Sequence, residues 1–430
     1  MHTFHYQDGF LCCENVRLLH IAETVGTPAY VYSKHTILDH FQRLKRALSP
    51  LGAEVAYAVK ACSNLAILQL MAREGAGFDI VSGGELWRTI RAGGDPGRCT
   101  YAGVGKTEDE IRYALEQGIY CFNAESEAEL RTIDEIAASM GVKAPVAVRV
   151  NPNVEAGTHQ YITTGRKENK FGVDLDRVEA LYAAIHHEMP SLIIRGLQMH
   201  IGSQLTSIEP FVQAVNKVAP MAARLRELYG IEFFSIGGGI GIVYDQPLPA
   251  AFPAWWESRE SRSHLHIETY AERLIPLLKP LGLRIIVEPG RMIVGNAGVL
   301  LAKCLYEKKG ESKTFKIVDA GMNDLIRPAL YQGHHEIVPL VQHGDDLVTA
   351  DVVGPICESG DFQAQNRPMH DIRAGEYLAV LSAGAYGFSM SSNYNSRPMA
   401  AEVLVDGGTW TLIRARQTLE DLVRGEILPE

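Results

Sequence analysis

EVAYAVK, residues 54–60, is the stretch whose reading decides the fold. It is a short apolar run of Val, Ala and Tyr that closes on a lysine. Seven similar runs follow before residue 291: GFDIVS (77–82), CTYAG (99–103), YCFNA (120–124), PVAVRV (145–150), GLQMHIG (196–202), FFSIGGG (233–239) and IIVEPG (285–290). Each gives way to a polar residue or glycine. Runs of this length and composition read as buried parallel strands. Between them lie helix-like stretches such as NLAILQLMAREGAG (64–77) and EDEIRYALEQG (108–118). Eight strand-then-helix units predict a TIM-type (β/α)8 barrel, whose chemistry sits at the C-terminal ends of its strands. Lys60, His200, Gly237–Gly239 and the 288–291 segment should then meet at one mouth.

After Gly290 the pattern changes. GVLLAKCLYEKKG, TFKIVDA, HEIVPLV, DLVTADVVGP, EYLAVLSAG, AAEVLVDGG and TWTLIRA are strand-like runs parted by Gly, Asp or charged turns. Few helices fit between them, so this half predicts an antiparallel sandwich or barrel. The opening FHYQDGFLCCENV and PAYVYS also read as strand. The division expected is residues 1–33 as strands joining the β domain, 34–297 as the barrel and 298–430 as the C-terminal β domain. PAWWESRESRSH (253–264) reads as an irregular, charged surface insertion.

Bulk properties narrow the function. The 430 residues suit two domains, and 46% apolar with 21% charged residues is ordinary for a globular protein. No apolar run reaches the roughly 18–20 residues that span a bilayer. The N-terminal MHTFHYQDGFLCC has no basic-then-apolar signal pattern. A net charge of −10 argues against nucleic acid as a partner. Seven cysteines without a CxxC pair predict reduced thiols and a cytoplasmic enzyme.

Four features carry chemistry. Lys60, closing an apolar strand, would be partly desolvated, which frees its amine for a Schiff base; a lysine snorkelling at a strand end fits the same pattern. SIGGGIG (235–241) lets backbone amides approach an anion, or makes a tight turn. It is not a dinucleotide motif, because position 242 is Ile. GKT at 105–107 is not a P-loop, because Thr100 stands where the first glycine is needed. Glu288 and Arg291, in EPGR, offer a carboxylate for a protonated ring nitrogen and a guanidinium for an anion, or else pair with each other. His200 offers an imidazole to stack on a planar cofactor, or serves as a structural histidine. His186–His187 and His334–His335 lack a matching ligand set, and no metal site is expected. Taken together, amine, anion cradle, imidazole face and carboxylate match a phosphorylated aldehyde on a nitrogen heterocycle, pyridoxal 5′-phosphate.

The motifs resemble those of the fold-type III pyridoxal-phosphate decarboxylases, and among them the diaminopimelate branch. The likeness runs through YAVKACSN, FDIVSGGEL, TGRKENKFGV (164–173), HIGSQ, IGGG, EPGR, DAGMNDLIRPALY, GPICESGD and SAGAYGFSMSSNYNSRP. It implies decarboxylation of meso-diaminopimelate to L-lysine and carbon dioxide, the last step of lysine biosynthesis, by a cytoplasmic homodimer with active sites at its interface. It makes Lys60 the Schiff-base lysine. It places Asp79, His200, Ser203, Gly237, Gly238, Gly239, Glu288, Pro289, Gly290, Arg291 and Tyr386 around the cofactor. Arg291, Arg327 and Tyr331 match positions that bind the carboxylate the substrate retains, and Glu358 the one that holds its distal ammonium. Tyr386 also contacts substrate, and Cys357 matches the proton donor, reaching in from the partner subunit. A substrate with an amino acid head at each end needs both signs of charge at the end that does not react. Ornithine-, arginine- or carboxynorspermidine-type decarboxylases on the same scaffold are the rival reading; RPALY and the Glu358 of CESGD weigh against them.

Overall fold

The computed structural model describes residues 1–155, 170–344 and 347–429, in two compact units. One unit comprises His40–Ile242 and Arg262–Met292; the other comprises Met1–Asp39, Val243–Ser261 and Ile293–Glu430. Residues 243–261, which the sequence reading places within 34–297, therefore belong to the unit that holds the C-terminal sheet.

The first of these units is a closed parallel barrel. Its strands are Glu54–Ala58, Gly77–Ile80, Cys99–Tyr101, Cys121–Ala124, Ala144–Asn151, Leu192–Met199, Phe233–Ser235 and Arg284–Val287. Each is paired in parallel with the next, and Ile286 pairs with Glu54 to close the ring. The eight expected runs are these eight strands. A short ninth strand, Val173–Asp174, adds to the edge of Ala144–Asn151. Alternate residues face inward, because strand side chains have a period of two. Ala56, Cys121, Ala147, Phe233 and Ile286 form one fully apolar inner cluster. Gly196 makes room for it: a Cβ there would lie 2.4 Å from the Phe233 ring.

Helices begin where polar caps follow the strands. Asn64 caps Leu65–Arg73, Ser82 caps Gly83–Arg91 and Ser126 caps Glu127–Met140, each side-chain oxygen accepting a backbone N–H of the first turn. Thr107 and Glu110 form a reciprocal capping box on Glu108–Glu116. These caps fix the loops that carry the site.

The other unit is built on a second nine-stranded sheet and a small three-stranded one, Phe4–Gln7, Phe10–Cys13 and Val16–Arg17. The long strand Gly298–Lys309 pairs antiparallel with Ala29–Ser33, Thr314–Val318 and Tyr377–Val380. Two pairings depart from the antiparallel expectation: Ala401–Asp406 lies parallel to Ala29–Ser33, and Thr314–Val318 lies parallel to Leu347–Val353. Leu18, Ile21, Val31, Leu301, Leu381 and Val403 belong to its core. The 253–264 stretch is not wholly irregular. Pro253–Glu257 is helical, and Trp255 is buried with Val243 and Ala250, because an indole this large gains more by burial than by exposure. Among the described residues no helix is long and apolar enough to cross a membrane.

Candidate active site

Strand Glu54–Ala58 ends in a single 3-10 turn, Val59–Ala61, that presents Lys60. Its Nζ lies 2.6 Å from Oδ2 of Asp79, an inward residue of the next strand that is 1% exposed. The sequence reading has this amine partly desolvated at the end of an apolar strand; its neighbour is the buried Asp79 carboxylate. Asp79 Oδ1 is buried and has no hydrogen-bond partner. Glu85, at the start of the following helix, accepts the Val81 N–H at 2.8 Å. Burial pushes its carboxyl up to about 7, although that N–H and Lys60 pull it down.

Glu288 follows the last barrel strand. Its two oxygens are held separately: the Gln198 amide Nε2 donates to Oε2 at 3.0 Å, and the Ser235 hydroxyl donates to Oε1 at 2.6 Å. Burial first, then the Asp79 charge, pushes the Glu288 carboxyl well above the usual carboxylate range. Arg291 donates to Ser203 Oγ at 3.0 Å, so the alternative of a Glu288–Arg291 pair is not realised. Pro289 and Gly290 close the barrel: the Pro289 carbonyl accepts the Ala58 N–H at 3.0 Å, and a Cβ at Gly290 would come within 3.0 Å of Ala61 Cβ.

The glycine run packs backbone on backbone. A Cβ at Gly238 would lie 2.1 Å from the Glu288 carbonyl oxygen, and one at Gly239, whose φ is +109°, would lie 2.4 Å from that of Gly202. Two amides that the sequence reading offered to an anion are engaged inside the protein. Gly237 N–H donates to Ser235 Oγ at 3.3 Å, and Gly238 N–H donates to His200 Nδ1 at 3.2 Å. The second bond makes Nδ1 an acceptor, which leaves the ring proton on Nε2. Burial, Arg149 and Lys60 all push His200 well below its ordinary value, so the imidazole is neutral.

Around this mouth two buried ion pairs pin the loops. Arg149 meets Glu125 at 2.8 Å, and Glu125 also accepts the N–H of Gly103 and of Gly172, at 3.2 and 2.9 Å. Lys106 meets Glu129 at 2.6 Å and donates to the Gly103 and Asn123 carbonyls. The GKT that fails as a P-loop thus supplies a brace. Of the TGRKENKFGV motif, residues 164–169 lie outside the described residues.

The other predicted residues belong to the unit with the C-terminal sheet. Arg327 and Tyr331 share a five-residue helix, Arg327–Tyr331. The Arg327 guanidinium lies 4.5 Å from the centroid of the Tyr244 ring, and its Nη1 is 2.6 Å from His335 Nε2. His335 Nδ1 in turn lies 2.8 Å from the Leu381 carbonyl, which it can only reach as a donor. One member of the histidine pair read as non-metal thus orients a predicted substrate residue, since His335 holds Arg327 in place. Its neighbour His334 does have acidic company, which one linear pair of histidines could not reveal. His334 Nε2 is 3.4 Å from Glu336 and 4.0 Å from Asp245, and Arg367 Nη1, 3.4 Å away, supplies positive charge there. Cys357 and Glu358 are exposed; the Cys357 N–H donates to Asn395 Oδ1 at 3.0 Å, and the Tyr394 hydroxyl donates to Glu358. Asp361 clasps that turn, its two oxygens accepting the Met322 and Ile356 N–H groups at 2.6 Å each. Tyr386 holds a left-handed φ of +57°, a conformation that bulky residues keep only where surroundings enforce it.

Sequence reasoning missed Gln198, Ser235, Arg149, Glu125 and His335. The first two stand within quoted apolar runs, as their only polar member ahead of the chemical residue. The barrel site fits a pyridoxal group by its donor set: a lysine amine, a carboxylate with both oxygens fixed, a neutral imidazole, and buried Asp79 Oδ1 and Gln198 Oε1 without partners.

Comparison with known proteins agrees. Residues 34–295 match the family model described as pyridoxal-dependent decarboxylase, pyridoxal binding domain. The diaminopimelate decarboxylase of Pseudomonas aeruginosa is 48% identical, with 100% of both chains covered, and that of Vibrio cholerae is 45% identical over the same full span. A crystal structure of diaminopimelate decarboxylase from Helicobacter pylori, complexed with L-lysine, superposes with a TM-score of 0.88 at 40% identity. It covers 95% of this chain and 98% of that one.

Proposed function

The chain belongs to the diaminopimelate decarboxylase family of pyridoxal-dependent decarboxylases, and from that premise we propose how its own residues divide the reaction. It converts meso-2,6-diaminopimelate to L-lysine and carbon dioxide with pyridoxal 5′-phosphate. The observation that carries the division is the buried Glu288, with each carboxylate oxygen on its own donor, in the same barrel as the Lys60–Asp79 pair.

When bound, pyridoxal phosphate supplies an electron sink for the carbanion left by departing carbon dioxide. Lys60 would supply the amine for its aldehyde, and Asp79, 2.6 Å from Nζ, holds that amine in place. Glu288, its two oxygens held by Gln198 and Ser235, would be the residue that faces the ring nitrogen and shares a proton with it. His200, fixed through Nδ1 and neutral, presents a flat face that adds no charge. Ser203, Arg291 and the Gly239 end of the glycine run would serve the phosphate side, the Gly237 and Gly238 amides being engaged on Ser235 and His200, with Pro289 and Gly290 fixing where Glu288 and Arg291 sit. Tyr386 would contact cofactor and substrate. Arg291, Arg327 and Tyr331 bind the carboxylate the substrate keeps, and Glu358 binds its distal ammonium. The Cys357 thiol delivers a proton to the carbon that loses carbon dioxide.

The active form is a homodimer in which Cys357 serves the partner's site, and its place is the cytoplasm. All seven cysteines are free thiols, as a reducing compartment allows. The test is to mix purified protein, pyridoxal phosphate and meso-diaminopimelate and measure lysine and carbon dioxide, with Lys60→Ala and ornithine as controls. Lysine that disappears in Lys60→Ala supports the reading; turnover of ornithine instead overturns the roles of Arg327 and Glu358. Mixing Lys60→Ala with Cys357→Ala protein should restore activity if sites are shared between subunits. No restoration overturns the sharing.

A further inference from the structure

Both partners of Glu288 are neutral groups that can either donate or accept. A primary amide carries N–H donors and a carbonyl acceptor, and a hydroxyl does both through one oxygen. Gln198, 1% exposed, turns Nε2 toward the carboxylate and leaves Oε1 buried without a partner. Ser235 donates to Glu288 while accepting from Gly237 N–H. A lysine or arginine in either place would satisfy only the ionised carboxylate. With an amide, a half-turn about the last torsion brings Oε1 to a protonated Glu288, and the hydroxyl can rotate likewise.

We propose that Gln198, with Ser235, is a positioning residue that keeps Glu288 hydrogen-bonded whether its proton sits on the carboxyl or on a pyridine nitrogen. This rests on the reading of Glu288 as the ring-nitrogen partner. A buried carboxyl that loses its bond in one of the two states meets a desolvation cost in that state alone, so one-sided neighbours bias where the proton rests. The other titratable groups acting on Glu288 are Asp79 and Lys60, whose charges oppose each other. Neutral, reversible neighbours leave the proton free to move as the reaction requires.

The test compares Gln198→Met, which offers no reversible partner, Gln198→His, which restores one, and Glu288→Gln. The readouts are the absorbance of the bound cofactor against pH and the separate kcat and KM for meso-diaminopimelate. In Gln198→Met the absorbance titration should move and kcat fall about tenfold, as for one hydrogen bond to a charged group, with KM held. Gln198→His should recover much of both. An unmoved titration in Gln198→Met, while Glu288→Gln moves it, overturns this proposal alone. An unmoved titration in Glu288→Gln overturns the assignment of Glu288 to the ring nitrogen. A KM rise equal to the kcat fall also sinks the proposal, because it marks a general loss of packing. If Gln198→Met does not fold, Ser235→Ala is read against the same criteria.

Discussion

Two layers of the same barrel, one pleat apart, are made for opposite purposes. The lower holds Cys121, Ala147, Phe233 and Ile286; two residues on along the same strands stand Asn123, Arg149, Ser235 and Glu288. Side chains two apart on a strand point the same way, so these four inward columns change from apolar to polar within one repeat of roughly 7 Å, while that of Ala56 and Ala58 stays apolar. The lower layer is a packing problem solved by volume. The upper is an electrostatic one, in which buried carboxylates are tolerated because each is paired or hydrogen-bonded. Stability is invested in the first and chemistry in the second.

The sharpest way to break this contrast is to neutralise the upper layer. Glu288→Gln should lower kcat by about 10³-fold, comparable to losing a fixed electrostatic partner of a reacting group, without loss of folding. The pH dependence has a sign. A carboxyl raised in the fold contributes its full stability below its unfolded value and loses it as pH climbs through the folded one. The stability of the wild-type apoprotein relative to Glu288→Gln should thus fall as pH rises from 4.5 toward about 7, read from urea midpoints at each pH. A flat difference would show Glu288 to be unperturbed.

Next in size is the converse change. Phe233→Ala empties the lower layer and should cost about 3–5 kcal/mol, seen as a lower urea midpoint, with kcat per folded molecule nearly kept. A kcat collapse at full stability would mean that the two layers are not separable. Gly238→Ala probes the seam between strand ends. Its methyl would meet the Glu288 carbonyl, and overpacking of this kind costs about 1–3 kcal/mol. We expect weaker cofactor binding by fluorescence titration, and unchanged affinity would refute the close approach. The smallest effect belongs to neither layer. Thr107→Ala should remove about 1 kcal/mol with the capping box and leave kcat unchanged.

The barrel was legible because its strands are short, apolar and each stopped by chemistry. Lys60, His200 and Glu288 lie at strand ends, where a polar residue breaks an apolar pattern and can be seen. Gln198 and Ser235 sit within the strands themselves, and a polar residue inside a strand looks the same whether it faces the lumen or the helices. Only ring closure, with Ile286 opposite Glu54, decides that. Asp79 entered through family likeness, and its contact with Lys60 needs the register of two neighbouring strands. Arg149 and Glu125 had no linear signature, being 24 residues apart and joined only by adjacent strands. His335 was read with His334 as a pair of identical neighbours, yet one side chain is buried against Arg327 and the other is not. In 253–264 the charges outweigh the tryptophans in the linear sequence, whereas in the fold the larger apolar surface decides.

Gly196 and Phe233 share a single volume: the ring occupies the space that any side chain at 196 would need. Drift at one position is therefore conditional on the other. A lineage that gains a methyl at 196 must first give up the ring at 233, and the order of those two steps determines whether the path passes through a foldable ancestor.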